Sequence, residues 1–247
     1  MPVHRPYPKA PITEAIIDLR VEPRAKLQLD ELADLHDSEK QRYPRRERTF
    51  EAIGTMKLQP GISASASAEQ VPTGFRFTSA DDKYVWQVRR DGCAVSRLPL
   101  YESWQPFRDE ARRLWTLYRE RTQPERCTRL AVRYVNRIDI PAERTELKEY
   151  FRTGPEVSPD LPQTLGGFFL QVQLPMDDLP GTAIINQTRI PPIKPGVISV
   201  VLDIDIFRDT DVPTGEGEIW AFFEQLHVRK NDIFEASITP KTRELFE

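Results

Sequence analysis

Two aspartates separated by a single residue, Asp203 and Asp205 in the run Leu202-Asp203-Ile204-Asp205, are the sharpest chemical candidates in this chain. Alternate residues of a β-strand share a face, so the two carboxylates are expected ~6–7 Å apart, close enough to share a divalent ion as in nucleotidyl-transfer enzymes. That chemistry also requires a third carboxylate and a phosphate-cradling glycine turn. No Gly-Ser or Walker-type motif precedes the run, and Asp18 or Asp139 can complete the set only if their strands lie beside it. The competing expectation, and the favoured one, is an inter-strand charge ladder in which Asp203 and Asp205 stand opposite Arg133 and Arg137, which share a face by the same arithmetic. On that expectation the chain holds no metal and no cofactor.

The other candidates are arginines and histidines. Arg89 and Arg90, with Arg97, Arg108, Arg112 and Arg113, cluster along the sequence and can form a phosphate-binding patch. Asp91, Asp109 and Glu110 interleave with them, so a self-paired, solvated surface is the stronger expectation. His4, His36 and His227 are the only histidines. They are too scattered for a zinc site, and only His227, with Glu224 or Glu235, offers a general base. No GxSxG elbow surrounds a serine and neither cysteine has a nearby histidine, so nucleophilic catalysis has no support.

The elements that position these residues follow from composition and pattern. The chain has 247 residues, 39% hydrophobic and 30% charged, enough for a sizeable core in one large domain or two small ones. Its net charge of −3, with both signs mixed along the chain, advertises no dedicated nucleic-acid surface, though a local basic patch stays open. No apolar stretch approaches the ~20 residues that span a bilayer, so a cytoplasmic protein without a membrane anchor is expected. Cys93 and Cys127 lack CxxC spacing and read as reduced core thiols.

Strands are expected at 12–21, 49–58, 75–78, 84–89, 93–98, 129–140, 168–174, 183–190 and 197–207, from alternation and β-branched runs. Asp91-Gly92 marks a hairpin with both residues at positive φ. The Ser/Ala tract 62–70 lacks apolar mass and reads as a mobile loop. Trp104, Phe107, Ala111, Leu114, Trp115 and Tyr118 form one stripe of a helix after Ser103, a packing face. A second long helix carries Ile219, Trp220, Phe223 and Leu226. Shorter helices are expected near Leu29, Leu32 and Leu35, at 145–151, and after Thr239-Pro240. Residues 154–163 form a proline-rich connection.

The fold class is therefore α+β: an antiparallel sheet with helices packed mainly on one face, arranged as a tandem β-α-β-β-β-α pseudo-repeat with halves 1–126 and 127–247 or as one continuous domain. Duplicated units of this kind occur in saddle-like and helix-grip folds that hold a ligand or partner on the concave side, but fold does not fix function.

Five motifs lie in order along the chain: Tyr7 with Ala10-Pro11-Ile12 and Glu14-Ala15; Pro99-Leu100-Tyr101 with Trp104 and Phe107; Arg129 with Arg133-Tyr134, Asn136-Arg137-Ile138; Leu202-Asp203 with Asp205; and Asn231 with Phe234-Glu235 and Ile238-Thr239. Together they resemble an uncharacterised, sporadically distributed bacterial family of about this length. The resemblance implies no reaction, and its patchy distribution is that of genes on mobile or antiviral defence loci. The expected function is a non-catalytic partner-binding or regulatory protein, antitoxin-like or sensing, that meets another protein encoded nearby through its sheet face or the tract 62–70. Homo-oligomerisation and nucleic-acid contact stay open. The rival expectation is a metal-dependent nucleotide-handling enzyme using Asp203 and Asp205.

Overall fold

Alternation sets the sheet. In β1 (Ile12–Glu22) Ala15, Ile17, Leu19 and Val21 are buried while Glu14, Ile16, Asp18 and Arg20 on the other side are not, the period-two pattern of a strand with one face in the core. The computed structural model describes residues 7–59, 62–143 and 145–247, with side chains at all of these except 55–68. β1 is joined by β2 (Arg45–Gln59), β3 (Ile62–Thr78), β4 (Tyr84–Arg89), β5 (Gly92–Arg97), β6 (Arg126–Ile140), β7 (Phe169–Met176), β8 (Gly181–Ile190) and β9 (Ile198–Arg208). All nine form one sheet in the order β2-β3-β4-β5-β1-β6-β9-β8-β7, and every neighbouring pair is antiparallel. β1 and β6 meet at its centre, with Ile17 opposite Val132 and Leu19 opposite Leu130.

The helices are α1 (Asp34–Glu39), α2 (Trp104–Thr122), α3 (Glu216–Ser237) and α4 (Pro240–Arg243). α2 starts after Ser103 in extended conformation and tolerates Pro106 because the first turn needs no backbone donor there. It ends at Gln123, whose φ of 46° is the left-handed stop that helices use before a proline. The expected stripe Trp104, Phe107, Ala111, Leu114, Trp115 and Tyr118 is buried throughout. These residues share one core with Ile219, Trp220, Phe222, Phe223 and Leu226 of α3 and with the inward residues of the strands. α2 and α3 also bond each other: Trp104 Nε1 and Arg108 Nη1 donate to Glu224 at 2.8 and 2.6 Å, and Arg112 donates to Glu216. Arg113 ties α2 to α1 through a bidentate pair with Glu39 at 2.8 and 2.9 Å.

Several expectations are corrected. Residues 62–70 are not a loop: they are the first part of β3, paired to β2 from Gln59 opposite Ile62 to Ala52 opposite Gln70. A strand of small residues needs no core when backbone pairing to its neighbour supplies its hydrogen bonds. β4 meets β3 only between Gly74 and Thr78, so from Thr49 outward β2 and β3 continue as a two-stranded ribbon beyond the rest of the sheet. Among the described residues the first half holds five strands and the second four, so the halves depart from a strict β-α-β-β-β-α repeat. Residues 145–151 form a single 3-10 turn at Leu147–Glu149, and Phe151 instead bridges to Ile238. The β4–β5 hairpin is present, but its two turn residues are Arg90 and Asp91. Gly92, at φ 147°, opens β5, where a Cβ would come within 2.2 Å of the Leu19 carbonyl oxygen. Only glycine fits so close an approach. Cys93 and Cys127 are free and buried, and burial pushes the Cys127 thiol up to about 11. His4 lies outside the described residues.

Candidate functional site

The polar side chains of β1, β6 and β9 that alternate away from the core meet on one surface. Asp203 and Asp205 of β9 do point to the same side as Arg129, Arg133 and Arg137 of β6, as strand alternation requires. Arg133 binds Asp203 with both arms of its guanidinium, Nε to Oδ1 at 2.8 Å and Nη2 to Oδ2 at 2.7 Å. Asp203 is 4% exposed and takes a third bond from Asn186 Nδ2 on β8, while Asn186 in turn accepts from Gln171 on β7. A planar fork facing a planar carboxylate is the strongest geometry such a pair has.

Arg129 is the residue the sequence did not single out as a partner. Its guanidinium lies between Asp205, 3.1 Å from Nη2, and Asp18, 3.1 Å from Nη1, and packs over the Phe207 ring at 4.4 Å. Asp18 also accepts from Arg20 Nε and Arg89 Nη2 at 3.1 and 3.0 Å. β6 separates β1 from β9, and the Arg129 guanidinium of β6 joins Asp18 to Asp205. Burial raises the Asp205 carboxyl above its usual range; Arg129 and Arg133 oppose that, while Asp203 and Asp18 add to it. Arg137 departs from the expected ladder: it pairs with Asp139 on its own strand at 3.1 Å and with Ser199 Oγ at 3.2 Å.

The face is thus a row of carboxylates already matched by organic cations. Among the described residues no three His, Cys, Asp or Glu side chains are grouped to hold a metal ion. Substituting Asp203→Asn is expected to lower stability by about 1–3 kcal/mol, the range for charged hydrogen bonds, because Arg133 is only half-buried and regains water when abandoned. Magnesium or manganese should leave the melting temperature of either form unchanged. A divalent-dependent rise in the unaltered protein that vanishes in Asp203→Asn would reverse this assignment.

The suggested phosphate patch is dispersed by the fold. Arg89 belongs to the Asp18 network and Arg90 sits in the exposed hairpin turn. Arg97 is buried, holding the carbonyls of Leu98 and Leu100 at 2.8 and 2.7 Å. Arg108, Arg112 and Arg113 are taken by carboxylates of α1, α2 and α3. The general-base option dissolves likewise, since Glu224 accepts from Trp104 and Arg108, and Glu235 accepts from Tyr7 and Arg243.

One buried charge-bearing group was missed. Lys230 of α3 is 6% exposed, with Nζ 3.8 Å from the centre of the Tyr134 ring. Tyr134 is fully buried and its hydroxyl lies 3.1 Å from that of Tyr101; His227, one turn before Lys230, stacks on Trp104 at 4.4 Å. Burial drives the Lys230 amine down to about 7. Its spacing from Phe223 and Phe234 along the apolar stripe is the signal that could have found it.

No family model matches the chain, and no curated protein matches it in sequence. Among the described residues no helix is long and apolar enough to cross a membrane.

Proposed function

We propose that this chain is a non-catalytic, cytoplasmic partner-binding protein, a neutralising or sensing component that acts on another protein encoded beside it. The observation that carries this reading is the β2–β3 ribbon. Beyond Gly74 it runs on for roughly 35 Å at ~3.4 Å per residue without a third strand among the described residues. Among those residues its outer strand has an unpaired edge, and Phe50 and Ile53, which alternation turns to opposite faces, are 54% and 50% exposed. Two-stranded ribbons are marginal in water alone, and native proteins blunt or cover apolar edges. Exposed apolar side chains on such a ribbon fit a surface that another molecule covers.

The charge-saturated sheet face supports the same reading, since its carboxylates already have partners. The resemblance of the five motifs to a sporadically distributed bacterial family supports an antitoxin-like or sensing role in a mobile or antiviral defence locus. We further propose that the halves are a pseudo-repeat related by an approximate two-fold at the β1–β6 seam, with the long helices on one face. The order β5-β1-β6-β9 about that seam supports it, as do the direct bonds between α2 and α3.

The test is co-expression with each flanking gene product, followed by size-exclusion chromatography. A complex should form, and Phe50→Asp with Ile53→Asp should weaken it at least tenfold without moving the melting temperature, because exposed substitutions stay within about 0.5 kcal/mol. The proposal fails if neither neighbour forms a complex or if the doubly substituted protein binds as well as the original.

A further inference from the structure

A separate region of the molecule has the build of a small-molecule site. Residues 142–143, 145–152 and 154–157, the loop 163–165, Arg189 at the end of β8, Ile198 at the start of β9 and Lys241 of α4 line an open cleft of about 1030 Å³, at the upper end of the size range of ligand sites. Its apolar wall is continuous with the hydrophobic core: Tyr150, Phe151 and Ile198 line it and are 5%, 2% and 7% exposed.

The charges of the cleft are unevenly satisfied. Lys241 pairs with Glu149 and Lys148 with Glu146. Arg152 and Arg189 have no carboxylate partner among the described residues; Arg152 Nε donates to the Ile238 carbonyl at 3.0 Å, and Arg189 Nη1 donates to the Leu165 carbonyl. Carbonyl bonds fix the two guanidinium groups in place and leave their charge and most of their five N–H donors unspent. On the sheet face the opposite holds, where Arg20, Arg89, Arg129 and Arg133 all end on aspartates. Glu143 and Glu156 also line the cleft; both, like Arg152, are exposed, where water and salt screen them. The half-buried Arg189 acts in a less screened setting and is the stronger anchor.

We infer that this cleft binds a small anion, a molecule that presents a carboxylate or phosphate to Arg152 and Arg189. A planar oxyanion fork is the complement of a guanidinium whose donors are free. The inference is independent of the ribbon and of what it binds.

Thermal shift and isothermal titration with inorganic pyrophosphate and with citrate, at constant ionic strength set by chloride, test it and separate the two anion classes. One of the two anions should bind saturably and raise the melting temperature. Arg152→Gln and Arg189→Gln should each weaken binding at least tenfold, whereas Arg90→Gln, in the distant β4–β5 turn, should bind as the original does. Should Arg189→Gln fail to fold through loss of its Leu165 contact, the exposed Arg152→Gln alone decides. No binding of either anion, binding unchanged in Arg152→Gln, or equal loss in Arg90→Gln each overturns the site.

Discussion

Replacing Lys230 with methionine will stabilise the protein by roughly 4 kcal/mol near pH 7. Moving the amine from 10.5 down to about 7 costs the folded protein about that much there, because the shift is itself the net difference between the charged and neutral forms. Methionine keeps an unbranched side chain, one atom shorter, and removes the charge. Proton counting gives the pH dependence. Between about 7 and 10.5 the unfolded chain holds a proton on Lys230 that the folded chain has lost, so stability rises with pH across that window and is lowest below it. Denaturant titrations of both proteins between pH 6 and 9.5 should converge as pH rises, with methionine ahead at the acid end. Parallel curves would mean that Lys230 stays protonated in the fold and that the Tyr134 ring compensates it in full.

The largest loss is expected from Trp115→Ala. Trp115 is 1% exposed in the core under α2 and stacks on Tyr118 with ring centres 5.7 Å apart. Truncation to alanine leaves a cavity that the sheet cannot collapse to fill, at a cost of about 3–5 kcal/mol. Trp115→Phe is the informative control. Trp115 Nε1 has no hydrogen-bond partner among the described residues, so phenylalanine removes a buried donor whose desolvation costs about 1–3 kcal/mol while leaving a smaller void. The phenylalanine protein should therefore melt close to the original and the alanine protein far below it. A phenylalanine protein that melts well below the original would show that the indole nitrogen has a hydrogen-bond partner.

Much of the sheet was legible because burial on one side writes a period of two into the sequence. Ala15, Ile17, Leu19 and Val21 alternate with charged or exposed neighbours, and the same rule placed Asp203 and Asp205 on the face of Arg133. The identity of each ion pair was not legible. Long side chains reach diagonally: Arg133 stands opposite Asp205 in register yet bonds Asp203, and Asp205 is left to Arg129. The ribbon was hidden for a different reason. The hydrogen bonds of 62–70 come from backbone pairing to β2, and the Ser/Ala composition of this tract carries no alternation that betrays that pairing. The cleft was invisible because Tyr150, Arg189 and Lys241 come from segments far apart in the chain, gathered only by the fold.

The central β1–β6 seam also sets a timetable. Ile17 waits for Val132, and at synthesis rates of ~5–20 residues per second the gap of 115 residues takes roughly 6–23 s. During that interval the nascent chain has β5 to pair with one side of β1 and nothing for the other. The strand that ends in the middle of the finished sheet is, while the chain is being made, an apolar edge in need of protection. Late arrival of β6 thus makes the first half the aggregation-prone stage of the protein's life, and slowing translation beyond residue 97 is the condition that would expose it.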